Sequence, residues 1–392
     1  MSLYDLAIIG AGSSGLYLAC VCHSLVPDMN IVILDSNPKL GRKLAITGNG
    51  RCNLTNNTLN IDEYFTDDPD KLKAVIRAHD QYASISFFEN EIGLDTKDKG
   101  ELVYPSTFKS ASVIDAMRLY LQDVDIRLDS KVLGIRKEDN FILKTSASEI
   151  SSKKVAVCTG GCSYKVTGSD GNFFKVLGSL IPKERFTAVN PALVSLVSSD
   201  KDIRDLSGQR FECTVTLENN GNKIKTETGE MLFTDYGISG ICVMQLSRFL
   251  KPGKNVVVAD LTDSDEHIRK CIEKFNDRKI EDALAGVLPR ELTRITLKRL
   301  SKDQLRNESD VKRFLDLLHN FRIIISVTNG FDNAQVTRGG LKLSALDEHL
   351  QSLDVPGLFV AGEAVNVDGP CGGYNLQWAW SSAYAVAKGV IG

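Results

Sequence analysis

Residues 5–20 read DLAIIGAGSSGLYLAC, and this stretch decides the fold of the chain. The apolar run 6–9 predicts a buried parallel β-strand, since such strands are covered on both faces. Gly10, Gly12 and Gly15 follow at G-x-G-x-x-G spacing, and a helix is predicted from about Ser13. The first glycine permits a tight turn, the second lets backbone approach a pyrophosphate, and the third lets helix and strand pack closely. The segment therefore predicts a dinucleotide cradle beneath a helix N-terminus.

A second apolar run, NIVILD, ends at Asp35. An acid about 20 residues after the glycines can accept hydrogen bonds from both ribose hydroxyls of a dinucleotide. The alternative is a glycine turn without a ligand, which the combined strand, spacing and acid disfavour. The cradle alone does not choose between NAD and FAD.

Residues 40–56, LGRKLAITGNGRCNLTN, contain few apolar residues and many hydrogen-bond donors. Glycines at 41, 48 and 50 allow close backbone approach or positive φ, which suits a loop lying along a flat polar ring or a ribityl chain. The alternative is a solvated surface loop, in which so many glycines would serve no purpose.

Residues 355–389 predict a short strand at 358–361 and a helix over 374–388. Gly372 and Gly373 at the helix entry would leave its first N–H groups open to an anion. A positive helix end aimed at an isoalloxazine would favour the anionic reduced flavin. The alternative is a glycine-entered core helix, and Trp378 and Trp380 are interpreted as packing residues in either case.

Five blocks of sequence together resemble the BaiN-like flavoprotein family, also called the YhiN or aminoacetone-oxidase-type family. They are GAGSSG, GRKLAITGNGRCNLTN, CTGGCSYKVTGSDG, GEMLFTDYGISG and GEAVNVDGPCGGYNLQWAWSS, and they extend from end to end of the chain. The resemblance implies an α/β protein with the glutathione-reductase-like two-dinucleotide-binding-domain FAD fold, an inserted β-barrel-like domain and a small helical subdomain. Lys165, where the family often has proline, and residues 343–357 depart from the family pattern.

The resemblance also implies which residues contact the cofactor. These are Gly10, Gly12, Ser14, Gly15, Asp35, Ser36, Arg42, Lys43, Gly50, Arg51, Cys52, Asn53, Thr159, Gly160, Gly362, Glu363, Gly373, Tyr374, Asn375 and Gln377. No catalytic residue is assigned. Cys52, Tyr164 and Tyr374 are candidates by motif position alone, as is Glu363 for proton transfer.

The pattern along the chain predicts four segments. The first part of the FAD-binding domain is predicted over 1–190, and its return segment over 340–392. An inserted β-rich domain is predicted over 191–262 and 321–339, because RFECTVTLE and KIKTE alternate in polarity around the turn NNGN. Apolar residues at helical spacing predict a helical subdomain over 263–320.

Composition excludes several classes of protein. Lys and Arg number 47 against 50 Asp and Glu, so the net charge of −3 does not favour a nucleic-acid partner. Apolar runs are too short to span a membrane, and no secretory signal pattern is present. Nine scattered cysteines without C-x-x-C predict free thiols and a cytoplasmic location. Five dispersed histidines predict no metal site.

The predicted activity is FAD-dependent oxidation or reduction of a small organic substrate. With one cradle in the chain, NAD(P)H could act only as a diffusible donor. The resemblance implies either oxidation of amines such as aminoacetone or reduction of a carbon–carbon double bond, and the sequence leaves both open. It also leaves open the oligomeric state and whether Cys52 and Cys371 form a redox pair or fill tight sites.

The alternative function is a flavin-containing regulatory or RNA-associated binding protein. A basic cluster near Arg294 would provide its contact with RNA. A solvated helix face is the simpler interpretation of that cluster, because no aromatic residues are interleaved for base stacking.

Overall fold

A computed structural model describes residues 3–392. The chain folds into two compact units. The first unit consists of two parts, the residues up to Pro191 and the residues Ala334–Gly392. The second unit is formed by Ala192–Asn333. Residues 334–339, which the sequence pattern assigns to the inserted domain, lie in the first unit. The strand Val336–Leu341, which includes most of them, pairs with a strand that begins at Phe186. Residues 1 and 2 of the first predicted segment lie outside the described residues.

The strands, in chain order, have the following bounds. They are β1 (Leu3–Ile9), β2 (Ile31–Leu34), β3 (Thr55–Asn56), β4 (Phe65–Thr66), β5 (Thr96–Lys99), β6 (Leu102–Pro105), β7 (Asp125–Arg127), β8 (Val132–Lys137), β9 (Phe141–Thr145), β10 (Glu149–Val157), β11 (Phe186–Ala192), β12 (Leu196–Ser198), β13 (Arg210–Asn219), β14 (Asn222–Phe233), β15 (Gly237–Ser239), β16 (Asn255–Asp260), β17 (Phe321–Thr328), β18 (Val336–Leu341), β19 (Leu358–Val360) and β20 (Val367–Asp368).

The α-helices have the following bounds. They are α1 (Ser13–Leu25), α2 (Arg42–Ile46), α3 (Pro69–Ala78), α4 (Gln81–Asn90), α5 (Ser110–Tyr120), α6 (Asn172–Leu177), α7 (Ile241–Leu246), α8 (Asp265–Lys274), α9 (Ile280–Ala283), α10 (Arg290–Leu300), α11 (Glu308–His319) and α12 (Tyr374–Ile391).

The main sheet of the first unit has the strand order β7-β2-β1-β10-β9-β8, with β19 paired to β10. Strands β7, β2, β1, β10 and β19 are parallel to one another, whereas β9 pairs antiparallel with both β10 and β8. The register aligns Ile9 with Leu34 and with Val157, and Val157 with Val360. The carboxyl ends of four strands therefore lie at one edge, where open α/β sheets bind their ligands.

Helices α1 and α12 pack against each other in this unit. Both carry few charged residues and bury most of their length, as expected for core helices. The rings of Tyr17 and Trp380 lie 5.1 Å apart between them. The indole N–H of Trp380 donates to the Leu54 carbonyl at 2.9 Å, which satisfies its buried polar group.

The second unit is built around a closed barrel of order β12-β15-β14-β13-β16-β17, and each described pairing is antiparallel. The alternation predicted for residues 210–218 is confirmed, since Val215 and Leu217 are fully buried in the barrel core while Thr214 is exposed. Helices α8, α10 and α11 add Ile268, Leu292 and Phe314 to the same core. The mixed α/β class with an inserted barrel and helices is thus confirmed.

In residues 3–392, no helix is both long enough and apolar enough to cross a membrane.

His319, in the last turn of α11, bridges two other elements of the second unit. Its ring nitrogens lie 2.7 Å from Asp260 Oδ1 and 2.9 Å from Asp265 Oδ1. The hydrogen bond to Asp260, supported by that to Asp265, raises the pKa of His319. Because the folded state holds the proton more tightly, the stabilisation is complete below the ordinary pKa of 6.5 and disappears as pH rises through the folded-state pKa.

We therefore expect the melting temperature of wild-type protein to exceed that of His319→Gln most clearly between about pH 5 and 6.5, with the difference shrinking at higher pH. Thermal unfolding of both proteins across this range measures the effect. A difference that stays constant to alkaline pH would contradict the protonated bridge.

Candidate active site

The glycine loop joins β1 to α1 at the carboxyl edge of the main sheet. A Cβ on Gly10 would lie 2.4 Å from the Cys158 carbonyl oxygen, and one on Gly15 would lie 1.9 Å from the Gly10 carbonyl oxygen. The fold itself therefore requires these two glycines. A Cβ on Gly12 would meet no atom within 4 Å. Open space above this residue is what the approach of a pyrophosphate needs, so the loop fits the predicted cofactor.

Asp35 follows β2 and faces this loop. Its Oδ2 accepts a hydrogen bond from the Ala11 N–H at 2.7 Å, and its Oδ1 accepts from both nitrogens of Asn37 at 2.8 Å. The carboxamide oxygen of Asn37, Oδ1, in turn accepts from Arg42 Nη1 at 2.9 Å. An ionised carboxylate offers about four acceptor positions, so capacity remains for a ribose hydroxyl. Ser36 beside it is exposed.

The loop after α2 has an unusual backbone. Gly48, Asn49, Gly50 and Cys52 all have positive φ, at 56°, 56°, 78° and 57°. Left-handed geometry in the two non-glycine residues costs about 1–3 kcal/mol each, and such strain concentrates at ligand-binding loops. Arg51 between them is exposed. Gly48 and Gly50 thus have the positive φ that the sequence pattern allows for a ligand-binding loop.

Glu363, just after β19, connects four segments of the first unit. Its Oε2 lies 2.6 Å from Lys43 Nζ in α2, and its Oε1 accepts from Ser163 Oγ at 3.0 Å and from Thr337 N at 2.8 Å. The Lys43 and Glu363 side chains are only about a fifth exposed, at 22% and 20%. Removing these two charges from water costs free energy, and the additional hydrogen bonds to the Glu363 carboxylate offset that cost.

The direction of the hydrogen bonds in this cluster follows from its chemistry. Ser163 donates to the carboxylate, so its oxygen is free to accept from Thr337 Oγ1 at 2.8 Å. Thr337 Oγ1 in turn accepts from the Cys162 N–H at 2.7 Å. The result is an ordered chain that ends on Glu363, so these segments cannot shift independently without breaking bonds to a carboxylate.

The return segment closes against the first motifs. Gly362 has φ 70°, and a Cβ there would lie 2.6 Å from Ser14 Oγ in α1. Gly373 has φ 94° and lies against the Thr55 backbone. With its carboxamide oxygen turned toward Gly373, Asn53 accepts from that N–H at 3.0 Å. The loop 42–53 and the start of α12 are therefore held together.

Several predicted contact residues use their side chains within the protein. Gln377 is fully buried and bonds through its carboxamide to Thr55, Ser84, Ser381 and the His79 carbonyl. Tyr374 donates its phenol to Glu63 Oε2 at 2.8 Å, and burial raises its pKa. Asn375 bonds the backbone of Gly369 and Pro370. These side chains shape the segment, and their contact with a cofactor stays a prediction.

The remaining catalytic candidates differ in accessibility. Cys52 is fully buried, and burial raises the pKa of its thiol to about 12, which keeps it protonated and unreactive. Cys371 is half-buried, with its sulfur 3.8 Å from Gln335 Oε1. Tyr164 is half-buried with φ 55°, and its carbonyl accepts from the Thr167 N–H at 2.8 Å. Among residues 3–392, none of the nine cysteines is joined in a disulfide.

Sequence reasoning did not identify Asn37, Ser163 and Thr337. Each is a short polar residue whose role depends on a partner distant in sequence, such as Glu363 for Thr337. The glycine pair 339–340 after Thr337, with φ of 95° and 125°, was the available signal.

The basic helix α10 is neutralised by acids of its own unit. Ion pairs join Arg290 to Asp282, Arg294 to Asp205, Lys298 to Asp202, Arg299 to Asp200 and Lys302 to Asp310. Lys and Arg side chains bind nucleic acid by pairing with its phosphates. Here the same side chains are already paired with carboxylates. This pairing does not favour the RNA-associated regulatory alternative.

A glycine cradle at the carboxyl edge of a parallel sheet, closed by the return segment, defines the class of this protein: it is an FAD-dependent oxidoreductase. The residues of the cradle and of the loop 42–53 fit FAD. The particular family follows from comparison. A family model described as "HI0933-like protein Rossmann domain" matches residues 4–389, and the chain belongs to that family.

Relatives of known activity match along the whole chain. A 3-dehydro-bile acid delta(4,6)-reductase of Clostridium scindens is 30% identical, covering 98% of this chain and 98% of the relative. A ribosomal RNA dihydrouridine synthase of Escherichia coli is 28% identical over 100% of this chain and 99% of the relative.

Solved structures support the fold. A 3-ketosteroid delta1-dehydrogenase from Sterolibacterium denitrificans matches with TM-score 0.52 and 11% identity, over 100% of this chain and 99% of that one. A mutant of E. coli quinol fumarate reductase FrdA matches with TM-score 0.53 and 15% identity, over 99% of this chain and 70% of that one. At these identities the likeness concerns the fold alone.

Gly12→Val is expected to fold and yet fail to retain FAD, because the new side chain has room in the apoprotein but fills the approach to the cradle. Its cost in apoprotein stability should be about 1 kcal/mol, since Gly12 is a helix N-cap. The measurement is flavin content after purification together with apoprotein melting. Gly134→Val, at an equally open position in β8, is the control that keeps its flavin. Full flavin occupancy in Gly12→Val would refute the cradle.

The Lys43–Glu363 pair should show strong energetic coupling. In a double-mutant cycle with Lys43→Met and Glu363→Gln, we expect a coupling of about 1–3 kcal/mol in urea unfolding, because each single change leaves a poorly hydrated group unpaired. The control pair is Lys270 with Glu266, which are 66% and 84% exposed. That pair should couple by about 0.5 kcal/mol or less. Equal coupling in both cycles would mean that the Lys43–Glu363 contact is only a surface ion pair.

Proposed function

We propose that this chain is an FAD-dependent reductase of carbon–carbon double bonds conjugated with a carbonyl group, acting on a small organic molecule. The observation that carries the proposal is the end-to-end similarity to relatives of two names that share one chemistry. A delta(4,6)-reductase of a 3-dehydro bile acid and a synthase of dihydrouridine both add hydrogen across double bonds conjugated with a carbonyl.

Bound FAD supplies hydride transfer, and the overall reaction adds one hydride and one proton across the double bond. A reduced nicotinamide is proposed as the donor that loses the hydride. Since the chain has one glycine cradle, that donor is expected to bind and leave in each turnover rather than stay bound.

The chain's own residues would contribute binding and orientation. Gly12 leaves room for the pyrophosphate, and Asp35 keeps acceptor capacity for a ribose hydroxyl. The ion pair of Lys43 with Glu363 holds α2, which leads into the loop 47–53, to the return segment. We assign these groups to cofactor positioning and none of them to proton donation.

A uracil base in RNA is the second candidate substrate, because ribosomal RNA dihydrouridine synthases of Escherichia coli and Haemophilus influenzae are both 28% identical to this chain over nearly their whole length. The net charge of −3 and the ion-paired basic residues of α10 favour the small molecule. Amine oxidation, which the family resemblance also implies, is a third candidate activity. The experiment described next distinguishes it from reduction of a double bond.

The test is an anaerobic titration of the purified flavoprotein with NADH and NADPH, followed by addition of an acceptor. We expect a nicotinamide to bleach the visible flavin absorption and a conjugated enone, such as cyclohexenone or a 3-oxo-4-ene steroid, to restore it. The saturated ketone cyclohexanone is the matched control and should leave the flavin reduced.

Other outcomes would contradict the proposal in distinct ways. Reoxidation by unmodified ribosomal RNA and by no enone would make the uracil base the substrate. Bleaching by aminoacetone and by neither nicotinamide would indicate an amine oxidase.

A further inference from the structure

Two buried hydroxyl groups of the first unit have no hydrogen-bond partner among residues 3–392. They are Thr159 Oγ1 and Ser169 Oγ. Ser169 is only 4% exposed. A buried hydroxyl left without a partner costs about 1–3 kcal/mol, and nearly all buried polar groups in proteins are satisfied. Such a pair indicates a partner that the chain itself does not supply.

Both hydroxyls belong to the segment 159–169, which begins where β10 ends at the carboxyl edge of the sheet. Thr159 adjoins the glycine loop, since its Cα lies 3.1 Å from the position of a Cβ on Gly10. The Ser169 hydroxyl lies 3.0 Å from the position of a Cβ on Gly160, whose φ is 72°. Thr159 therefore adjoins the glycine loop, and the Ser169 hydroxyl lies against the residue that follows Thr159.

The far end of the segment is held beside Asp35. A Cβ on Gly168, the residue before Ser169, would lie 2.4 Å from Asn37 Nδ2. That nitrogen donates to the Thr167 carbonyl at 3.1 Å and to Asp35 Oδ1 at 2.8 Å. The segment thus runs from the phosphate-binding loop to the residue predicted to hold the ribose, which is the path of the ADP half of a dinucleotide.

The segment is fixed rather than loosely placed. The Gly171 N–H donates to the Gly161 carbonyl at 2.9 Å and closes the loop at its base. Thr167 bonds back to the Tyr164 carbonyl through both its N–H, at 2.8 Å, and its hydroxyl, at 2.7 Å. Its fixed backbone keeps the two hydroxyls in place, so their lack of partners is a property of the fold.

We propose that Thr159 and Ser169 bind the ADP half of FAD through their hydroxyl groups, and that the segment 159–169 forms the wall of the cradle that Asn37 holds in place. Motif position already suggested Thr159, whereas Ser169 is new. The proposal rests on FAD as the cofactor and is independent of which substrate is reduced.

The proposal predicts that loss of either hydroxyl affects the apoprotein and FAD binding in opposite directions. Ser169→Ala and Thr159→Val remove an unpartnered buried hydroxyl, so the melting temperature of the apoprotein should stay equal or rise. The same changes remove a bond to the cofactor, so FAD affinity should fall by about three- to tenfold. A purely structural hydroxyl would instead lower the stability of the apoprotein.

The control is Ser152→Ala in β10. Ser152 is fully buried like Ser169, but its hydroxyl lies 2.7 Å from the Lys154 carbonyl and 3.3 Å from the Tyr4 carbonyl. Its loss should lower apoprotein stability and leave FAD affinity unchanged. Ser152→Ala thus shows what removal of a hydroxyl bonded within the protein does.

The experiment titrates flavin-free wild-type protein and the three variants with FAD, followed by flavin fluorescence, and with ADP, followed by calorimetry. We expect Ser169→Ala and Thr159→Val to weaken both ligands, because ADP carries the half that they contact. Apoprotein melting is measured on the same samples.

Wild-type affinity for FAD in both variants would overturn the proposal and leave the FAD assignment intact. Weakened FAD with unchanged ADP would place the contact outside the ADP half and overturn it as well. If wild-type apoprotein failed to bind FAD, the cofactor assignment itself would fall, and the proposal with it.

Discussion

The position of β10 between β1 and β19 is the constraint on which the rest of the first unit depends. One edge of this long strand pairs with β1, while its other edge pairs with β9 near its start and with β19 near its end. The returning chain therefore joins the sheet that the N-terminus began. As a result the glycine loop, Asp35, Thr159 and Glu363 follow strands that end at one edge.

The polar cluster around Glu363 makes this arrangement specific. A sheet edge alone would bring the backbones together, but it would not set the position of α2 or of β18. The carboxylate does so, because it accepts from Lys43, Ser163 and Thr337, which come from three separate segments. Because the cluster is poorly hydrated, the loss of any of these hydrogen bonds costs free energy. The cluster therefore fixes the position of α2 and favours one geometry of the loop that follows it.

The sequence anticipated the backbone of the site better than its side chains. Strand β1, helix α1, the strand before Asp35 and helix α12 lie where the patterns predict them. Tyr374 and Gln377 are predicted cofactor contacts, and the structure shows that their polar atoms also bond Glu63 and Thr55. These two residues are three apart on one face of α12, and motif position does not reveal which neighbour that face meets.

By itself, the sequence determined the cradle, because G-x-G-x-x-G after an apolar strand imposes local backbone geometry. Its resemblance to a flavoprotein family indicated the class of chemistry. Periodicity likewise determined the barrel hairpin β13–β14, since alternation of period two follows from the pleat. Only the tertiary structure decided which polar groups meet. Glu363 and Asn37 bond groups far away in sequence, Thr337 and Thr167 among them, whereas the buried Ser169 hydroxyl has no partner among residues 3–392. Burial, which no local pattern encodes, sets the need of each hydroxyl for a partner.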